Sequence, residues 1–169
     1  MGAVTIREAD ADDAEAIAEV HVVSWRWAYR GLLPGDLLDG LSVDEREQMW
    51  REAVAADPGS VLIAADGQDI LGFASVGPSR DDDALPSTGE LLSLYLVERA
   101  AGTGVGARLL TEAELALRKR GFDRASLWVL GTNARARRFY DRQGWTWDGT
   151  ESTHQVQCAN LPIVRYTKG

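Results

Sequence analysis

Three short stretches hold the residues with the most chemistry to offer. The first is Leu94-Tyr-Leu-Val-Glu-Arg-Ala-Ala-Gly-Thr-Gly-Val-Gly-Ala-Arg-Leu-Leu110, an apolar run that feeds a turn holding Gly102, Gly104 and Gly106. Glycine lets backbone N–H groups turn outward and lets a ligand come close. At the N-terminus of a helix such N–H groups bind an anion without any basic side chain. The local chemistry says phosphate; the alternative is a β–α turn that is glycine-rich for compactness alone. The spacing is not the G-x-G-x-x-G of a dinucleotide fold, and Gly106 is followed by Ala107-Arg108 where a P-loop needs Lys and Ser or Thr. The second stretch is Asn133-Ala-Arg-Ala-Arg-Arg-Phe-Tyr-Asp-Arg-Gln-Gly-Trp145. There Asn133 can cap a helix, and Tyr140 can either donate a proton or pack beside Phe139. The third is Glu90, which opens the apolar run to Val97. A carboxylate at the mouth of a buried strand can serve as a base, or can be an ordinary edge glutamate.

Other chemistries find little support. The soft or imidazole ligands are His21, His154 and Cys158, too few for a zinc site, so no metal is expected. No Ser-His arrangement is evident, and Cys158 lies far from the glycine turn, so no acyl-enzyme is expected.

These residues need elements to position them, and 169 residues suffice for one domain over 1–169. Val4 to Arg7 alternates as a strand, and Asp10 to Asp13 offers caps for a helix. Ala14, Ile17, Val20, His21, Ser24, Trp25 and Ala28 then share one helical stripe, which Gly31 and Pro34 end. Ser42-Val-Asp-Glu45 has the capping-box form and starts a second helix to about Ala56. Ser60–Ala65 and Ile70–Val76 read as a hairpin around Asp66-Gly-Gln68, and Gly77–Gly89 as an exposed loop with Asp81-Asp-Asp83 at its tip. Glu90–Val97 is a central strand. A helix over Gly104–Arg120, a strand over Ala125–Leu130 and a helix over Asn133–Gln143 follow. Strands over Trp145–Ser152 and Ile163–Thr167 close the chain. That order predicts a mixed α/β fold, a central sheet with helices on both faces.

Eighteen Lys and Arg against 26 Asp and Glu give a net charge of −8. That sign speaks against nucleic acid and mildly favours a cationic small molecule. No apolar run approaches a membrane span of about 20 residues. The beginning of the chain is acidic where a secretory signal is basic and then apolar. A single cysteine cannot form an internal disulfide, and a cytoplasmic location is expected.

Together the segments resemble the GNAT superfamily of acyl-CoA-dependent N-acetyltransferases. Leu94-Tyr95-Leu96 stands where the family often has LYV, and Gly104-Val105-Gly106 fills the G-x-G/A of its Q/R-x-x-G-x-G/A signature. Downstream, Asn133, Ala136, Phe139, Tyr140, Gly144 and Trp145 match the family's N-x-x-A-x-x-F-Y-x-x-x-G-F/W helix. Trp25 to Pro34 also resembles the first-helix region of many bacterial members. One departure is Ala101 at the signature's Gln/Arg position, with Arg99 two residues earlier. The resemblance implies a mostly antiparallel mixed sheet with one splayed parallel strand pair. It implies acetyl-CoA as cosubstrate, its pyrophosphate on main-chain amides over Ala101, Gly102, Thr103, Gly104, Val105, Gly106 and Ala107. Its pantetheine would lie on main-chain groups of Leu94 and Leu96, with Asn133, Ala136 and Tyr140 also touching it. An amide near Leu96 would polarise the thioester oxygen. By the same resemblance, Tyr140 protonates the departing thiolate and Glu90 stands at the distance of the base in histone-type members. His21, Trp25 and Tyr29 would border an acceptor amine, small molecule or peptide, and the family often forms homodimers. A non-catalytic acyl-CoA-binding module on the same fold is the competing reading.

Overall fold

The computed structural model describes residues 2–157 and 159–169. Its strands are β1 (Thr5–Glu8), β2 (Val61–Asp66), β3 (Asp69–Pro78), β4 (Thr88–Leu96), β5 (Arg124–Leu130), β6 (Thr146–Val156) and β7 (Ala159–Lys168). Its α-helices are α1 (Ala14–Ala28), α2 (Gly35–Asp39), α3 (Val43–Ala56), α4 (Val105–Lys119) and α5 (Ala134–Arg142). The seven strands form one sheet in the order β1-β2-β3-β4-β5-β7-β6, and β4–β5 is its one parallel pair among the described residues. The mixed, mostly antiparallel sheet expected above is therefore present.

Alternation along the strands sends apolar side chains to two faces. On one face Leu62, Ala74, Leu91, Leu127 and Val129 pack with Leu109, Leu110 and Ala113 of α4 and with Tyr140 of α5. On the other Ile63, Leu71 and Phe73 pack with Ile17 of α1 and with Trp50 and Val54 of α3. Local signals start the helices as the sequence suggests: the Ser42 hydroxyl accepts from the Glu45 N–H, and Asp10 and Asp13 form a reciprocal capping box before α1.

Two expectations need correction. The sequence reading has no helix between α1 and α3, yet α2 forms there. Pro34 was read as a breaker, but it stands at the N-cap of α2, where a missing N–H costs nothing. The last hairpin is also longer, pairing Thr153↔Pro162 through Val156↔Ala159 beyond the expected ends. Its outer residues are polar because backbone hydrogen bonds alone can hold an exposed edge ribbon, which leaves no apolar alternation to read. Cys158, named above for its redox implication, lies outside the described residues.

The feature that positions the site is the parting of β4 from β5. Parallel pairing runs from Thr88↔Arg124 to Leu91↔Leu127 and stops there. Across β4 the pairing with β3 continues to Gly72↔Leu96, with a bulge that skips Leu92. The bulge shifts the alternation by one residue and bends β4 away from β5. Because the Val97 N–H bonds to Leu71 on β3, alternation turns the main-chain groups of Leu94 and Leu96 away from β3 and into the resulting wedge.

Candidate active site

A cleft of about 500 Å³ occupies the wedge. One end is the glycine turn: Ala101, Gly102, Gly104, Gly106 and Ala107 line it. Gly102 and Gly104 have φ of +76° and +89°, and Gly104 is the N-cap of α4. The turn therefore uses the left-handed conformation that glycine adopts without strain, and presents the helix N-terminus to the cleft. Gly106 serves differently, since a Cβ there would lie 3.0 Å from Leu96 Cδ1. Thr103 and Val105 do not line the cleft with their side chains: the Thr103 hydroxyl donates to the Ala100 carbonyl at 2.6 Å, and Val105 is buried in the core. Ala101 supplies no cation, and Arg99 does not replace one, standing outside the cleft beside Asp69 at 3.6 Å. Arg135, Arg138 and Arg142 of α5 line the cleft instead. Arg137 does not, because its guanidinium is held by the Gly131 carbonyl and the Tyr166 hydroxyl.

Leu94, Leu96, Asn133, Ala136 and Tyr140 also line the cleft. Asn133 is the cap its position suggests, its Oδ1 accepting from the Ala136 N–H at 3.1 Å. The Leu96 carbonyl is already engaged by the Trp27 indole N–H at 3.1 Å, and Arg135 lies 4.3 Å from the centre of that indole ring. Tyr140 is buried between Phe139, Trp145 and Tyr166, yet reaches the cleft. Burial pushes its hydroxyl well above the ordinary tyrosine value, and nearby Tyr95 adds to this. At neutral pH it is therefore protonated.

The far end of the cleft is lined by Ser24, Tyr29, Tyr95 and Trp128. Of the three residues expected at the acceptor, only Tyr29 is there. His21 is 6% exposed, stacks on Tyr95 with its ring centroid 5.5–5.8 Å from those of its aromatic neighbours, and accepts the Trp50 indole N–H on Nδ1 at 3.0 Å. Trp25 stands behind Tyr29 and Tyr95 in the same aromatic group. The helical stripe placed both correctly on the inward face of α1, but that face is closed by α3 and β4. Tyr95 was missed as a site residue; its signal was the alternation that sets it opposite Leu94 and Leu96. The bulge at Leu92, which aims all three, has no signature in the sequence.

Burial, reinforced by the charge of Arg46, lowers the His21 pKa to about 4. Its folded value lies below the unfolded one, so its contribution is fully present above pH 6.5 and is lost as pH falls toward 4. Each unit is worth about 1.4 kcal/mol. Denaturant unfolding across this window is expected to be distinctly less pH-dependent in His21→Gln than in the parent. Equal slopes would return His21 to an ordinary titration.

Glu90 is not brought to the cleft. It is 1% exposed and pairs with Ser126 in the part of β4 that is still joined to β5. Its carboxylate accepts from the Arg80 backbone N–H at 2.9 Å and from the Arg80 guanidinium at 2.8 Å. The strand mouth expected at Glu90 lies instead beyond Leu91, because the wedge opens at the bulge.

Comparison with known proteins agrees with this geometry. The sequence profile of the Acetyltransferase (GNAT) family matches residues 9–145. The chain belongs to the GNAT family of acetyltransferases. Among its GNAT relatives, the uncharacterised N-acetyltransferase YuaI of Bacillus subtilis is 37% identical over 131 residues, 77% of this chain and 73% of that one. Spermidine N(1)-acetyltransferase of Thermoplasma acidophilum is 24% identical over 89% of this chain and 92% of its own. The crystal structure of the PaiA N-acetyltransferase of T. acidophilum in complex with coenzyme A superposes with a TM-score of 0.77 at 22% identity, covering 96% of this chain and 98% of that one. At that identity the likeness shows the shared fold. Among the described residues no helix is long and apolar enough to cross a membrane.

Proposed function

We propose that this GNAT protein transfers the acetyl group of acetyl-CoA to a primary amine by direct attack within a ternary complex, as a cytoplasmic enzyme. The observation that carries the reading is the wedge: one continuous cleft joins the glycine turn at the head of α4 to the buried Tyr140 hydroxyl. The fit to the cosubstrate rests on features of this chain. The left-handed glycines open backbone N–H groups at a helix N-terminus, which suits a pyrophosphate, and a substituent on Gly106 would crowd Leu96. Leu94 offers both main-chain groups and Leu96 its N–H to an extended pantetheine arm, and the Leu96 region supplies a donor for the thioester oxygen. Arg138 and Arg142 bring positive charge that Ala101 does not. Acetyl-CoA delivers the activated acyl group, and Tyr140 donates a proton to the departing thiolate.

The second reading, an acyl-CoA-binding module without catalysis, is favoured by Ala101. Thiol release from acetyl-CoA, followed across a panel of amines, separates the two. Calorimetric binding of acetyl-CoA with no turnover of any amine supports the module.

The proton lost by the ammonium is assigned to water on main-chain carbonyls facing the wedge, and Glu90 to a positioning role with Arg80. With one good amine, kcat/KM is expected to rise with pH through the pKa of that amine. The Glu90→Gln profile is expected to run parallel to the parent's. A variant profile that loses activity at neutral pH and recovers as pH rises would restore Glu90 as the base.

A further inference from the structure

We propose that Asp81 and Arg165 are positioning residues for the acceptor: they hold the Trp128 indole as an apolar wall at the far end of the cleft, against which the hydrocarbon body of the amine packs. This rests on the acetyltransferase reading above and narrows its acceptor to amines with an apolar body.

The first support is where Trp128 stands. Leu127 and Val129 pack with α4, so alternation along β5 turns Trp128 to the opposite face of the sheet. That face carries α1, and Tyr29, at the end of α1, and Tyr95 line the cleft beside it. A cosubstrate seated on the glycine turn at the head of α4 fills the cleft from the other face, which leaves the α1 side to the acceptor. No Asp or Glu is among the described residues that line the cleft, so nothing in its wall meets a second ammonium.

The second support is how the indole is held. Trp128 is half-buried and belongs to none of the three apolar clusters, so polar contacts fix its place. Its N–H donates to Asp81 Oδ1 at 2.8 Å. That bond uses the one polar atom of the side chain and leaves only carbon for the cleft. Arg165 pairs with Trp128 across β5 and β7, stands 5.7 Å from the centre of the ring, and donates to Asp81 Oδ2 at 3.3 Å.

The third support is that Arg165 is saturated. A guanidinium has five N–H donors, and here each has an acceptor. Nε donates to Asp148 at 2.6 Å and Nη1 to Asp81 and, at 2.6 Å, to Asp83. Nη2 donates to Asp83 at 2.9 Å and to Thr150 at 3.0 Å. Arg165 thus joins the loop between β3 and β4 to β6 behind the indole, with no donor left for a ligand. The Asp81 and Arg165 side chains are each 13% exposed, so their pair is not a solvent-screened surface contact. The aspartates that the sequence places at an exposed loop tip therefore act as a clamp.

The experiment follows thiol release from acetyl-CoA with ethylamine, isoamylamine, phenethylamine and spermidine. The parent enzyme is expected to favour phenethylamine and isoamylamine over ethylamine and spermidine by about tenfold or more in kcat/KM, because each added methylene in an apolar pocket counts. Asp81→Ala is expected to raise KM for phenethylamine about tenfold, with a smaller change in kcat, as for a site residue that loses its placement. Calorimetric affinity for acetyl-CoA should stay at the parent's value. Asp81→Asn keeps an oxygen for the indole N–H and should recover part of the loss. In a Trp128→Phe background there is no N–H to hold, and Asp81→Ala should change KM by no more than about twofold. A parent preference for ethylamine or spermidine, or turnover only of amines outside these four, overturns the proposal alone. So does an unchanged KM in Asp81→Ala, or the same factor in both backgrounds, which a merely structural loop contact would give. Binding of acetyl-CoA without turnover of any amine overturns it together with the acetyltransferase reading. If Asp81→Ala does not fold, the parent's ranking of the four amines decides.

Discussion

Tyr140→Phe is expected to lower kcat by about ten- to a thousandfold, up to the scale of a lost general acid, while acetyl-CoA binds as before. The argument combines packing with protonation. Tyr140 is 9% exposed and its ring contacts Phe139, Trp145 and Tyr166, so phenylalanine keeps nearly all of the burial. Among the described residues the hydroxyl makes no hydrogen bond to another protein group, so removing it leaves none newly unsatisfied. What disappears is a donor facing the cleft, kept protonated by its buried setting. Stability should therefore move by less than about 1 kcal/mol, and the thermal midpoint checks this beside the kinetics. A kcat within twofold of the parent would leave Tyr140 a core aromatic that happens to border the cleft.

Gly104→Val is expected to abolish most of the acetyl-CoA affinity, by about tenfold or more. Two effects act in one direction. The φ of +89° at Gly104 is unfavourable for any side chain and most of all for a β-branched one, at a cost of about 1–3 kcal/mol. The turn would relax toward another conformation and re-aim the N–H groups at the head of α4. No protein atom lies within 4 Å of a Cβ built at Gly104, so the new side chain would point into the open mouth of the turn, where an anion must approach. Gly104→Asn separates the two effects, because asparagine tolerates the left-handed region while still adding bulk. Both variants are compared by calorimetry after circular dichroism has confirmed the fold. Parent-like affinity in a folded Gly104→Val protein would remove the turn from cofactor binding.

The fold was legible where a local cause acts within a few residues. Ser42 caps α3 and Asn133 caps α5 because a side-chain oxygen reaches the N–H three positions on, a relation contained in the sequence itself. The apolar stretch around Leu91 and Leu94, the helical stripe of α1 and the glycines at 102 and 104 follow from periodicity and backbone sterics in the same way. Pro34 misled because proline ends one helix and begins another with equal ease, and only the packing of Leu37 and Leu38 beneath Leu130 shows which.

The candidate site was legible in part, and the division has a physical basis. Residue type and spacing determined the glycine turn, the strand leading into it and the family, because each rests on neighbours along the chain. The sequence could also name Tyr140 and Tyr29 as residues of the right chemistry. Only the tertiary structure decided which of the named side chains share a cleft. The bulge at Leu92 moves the wedge past Glu90, so Arg80 can hold that carboxylate away from the reaction. The packing of α3 across α1 seals His21 beside Trp50 and leaves Tyr95 facing the cleft. Arg99 and Arg138 are alike in sequence, yet one ends beside Asp69 and the other on the cleft wall. Such outcomes depend on strand register and on helices crossing from distant positions, and no local pattern of residues encodes either.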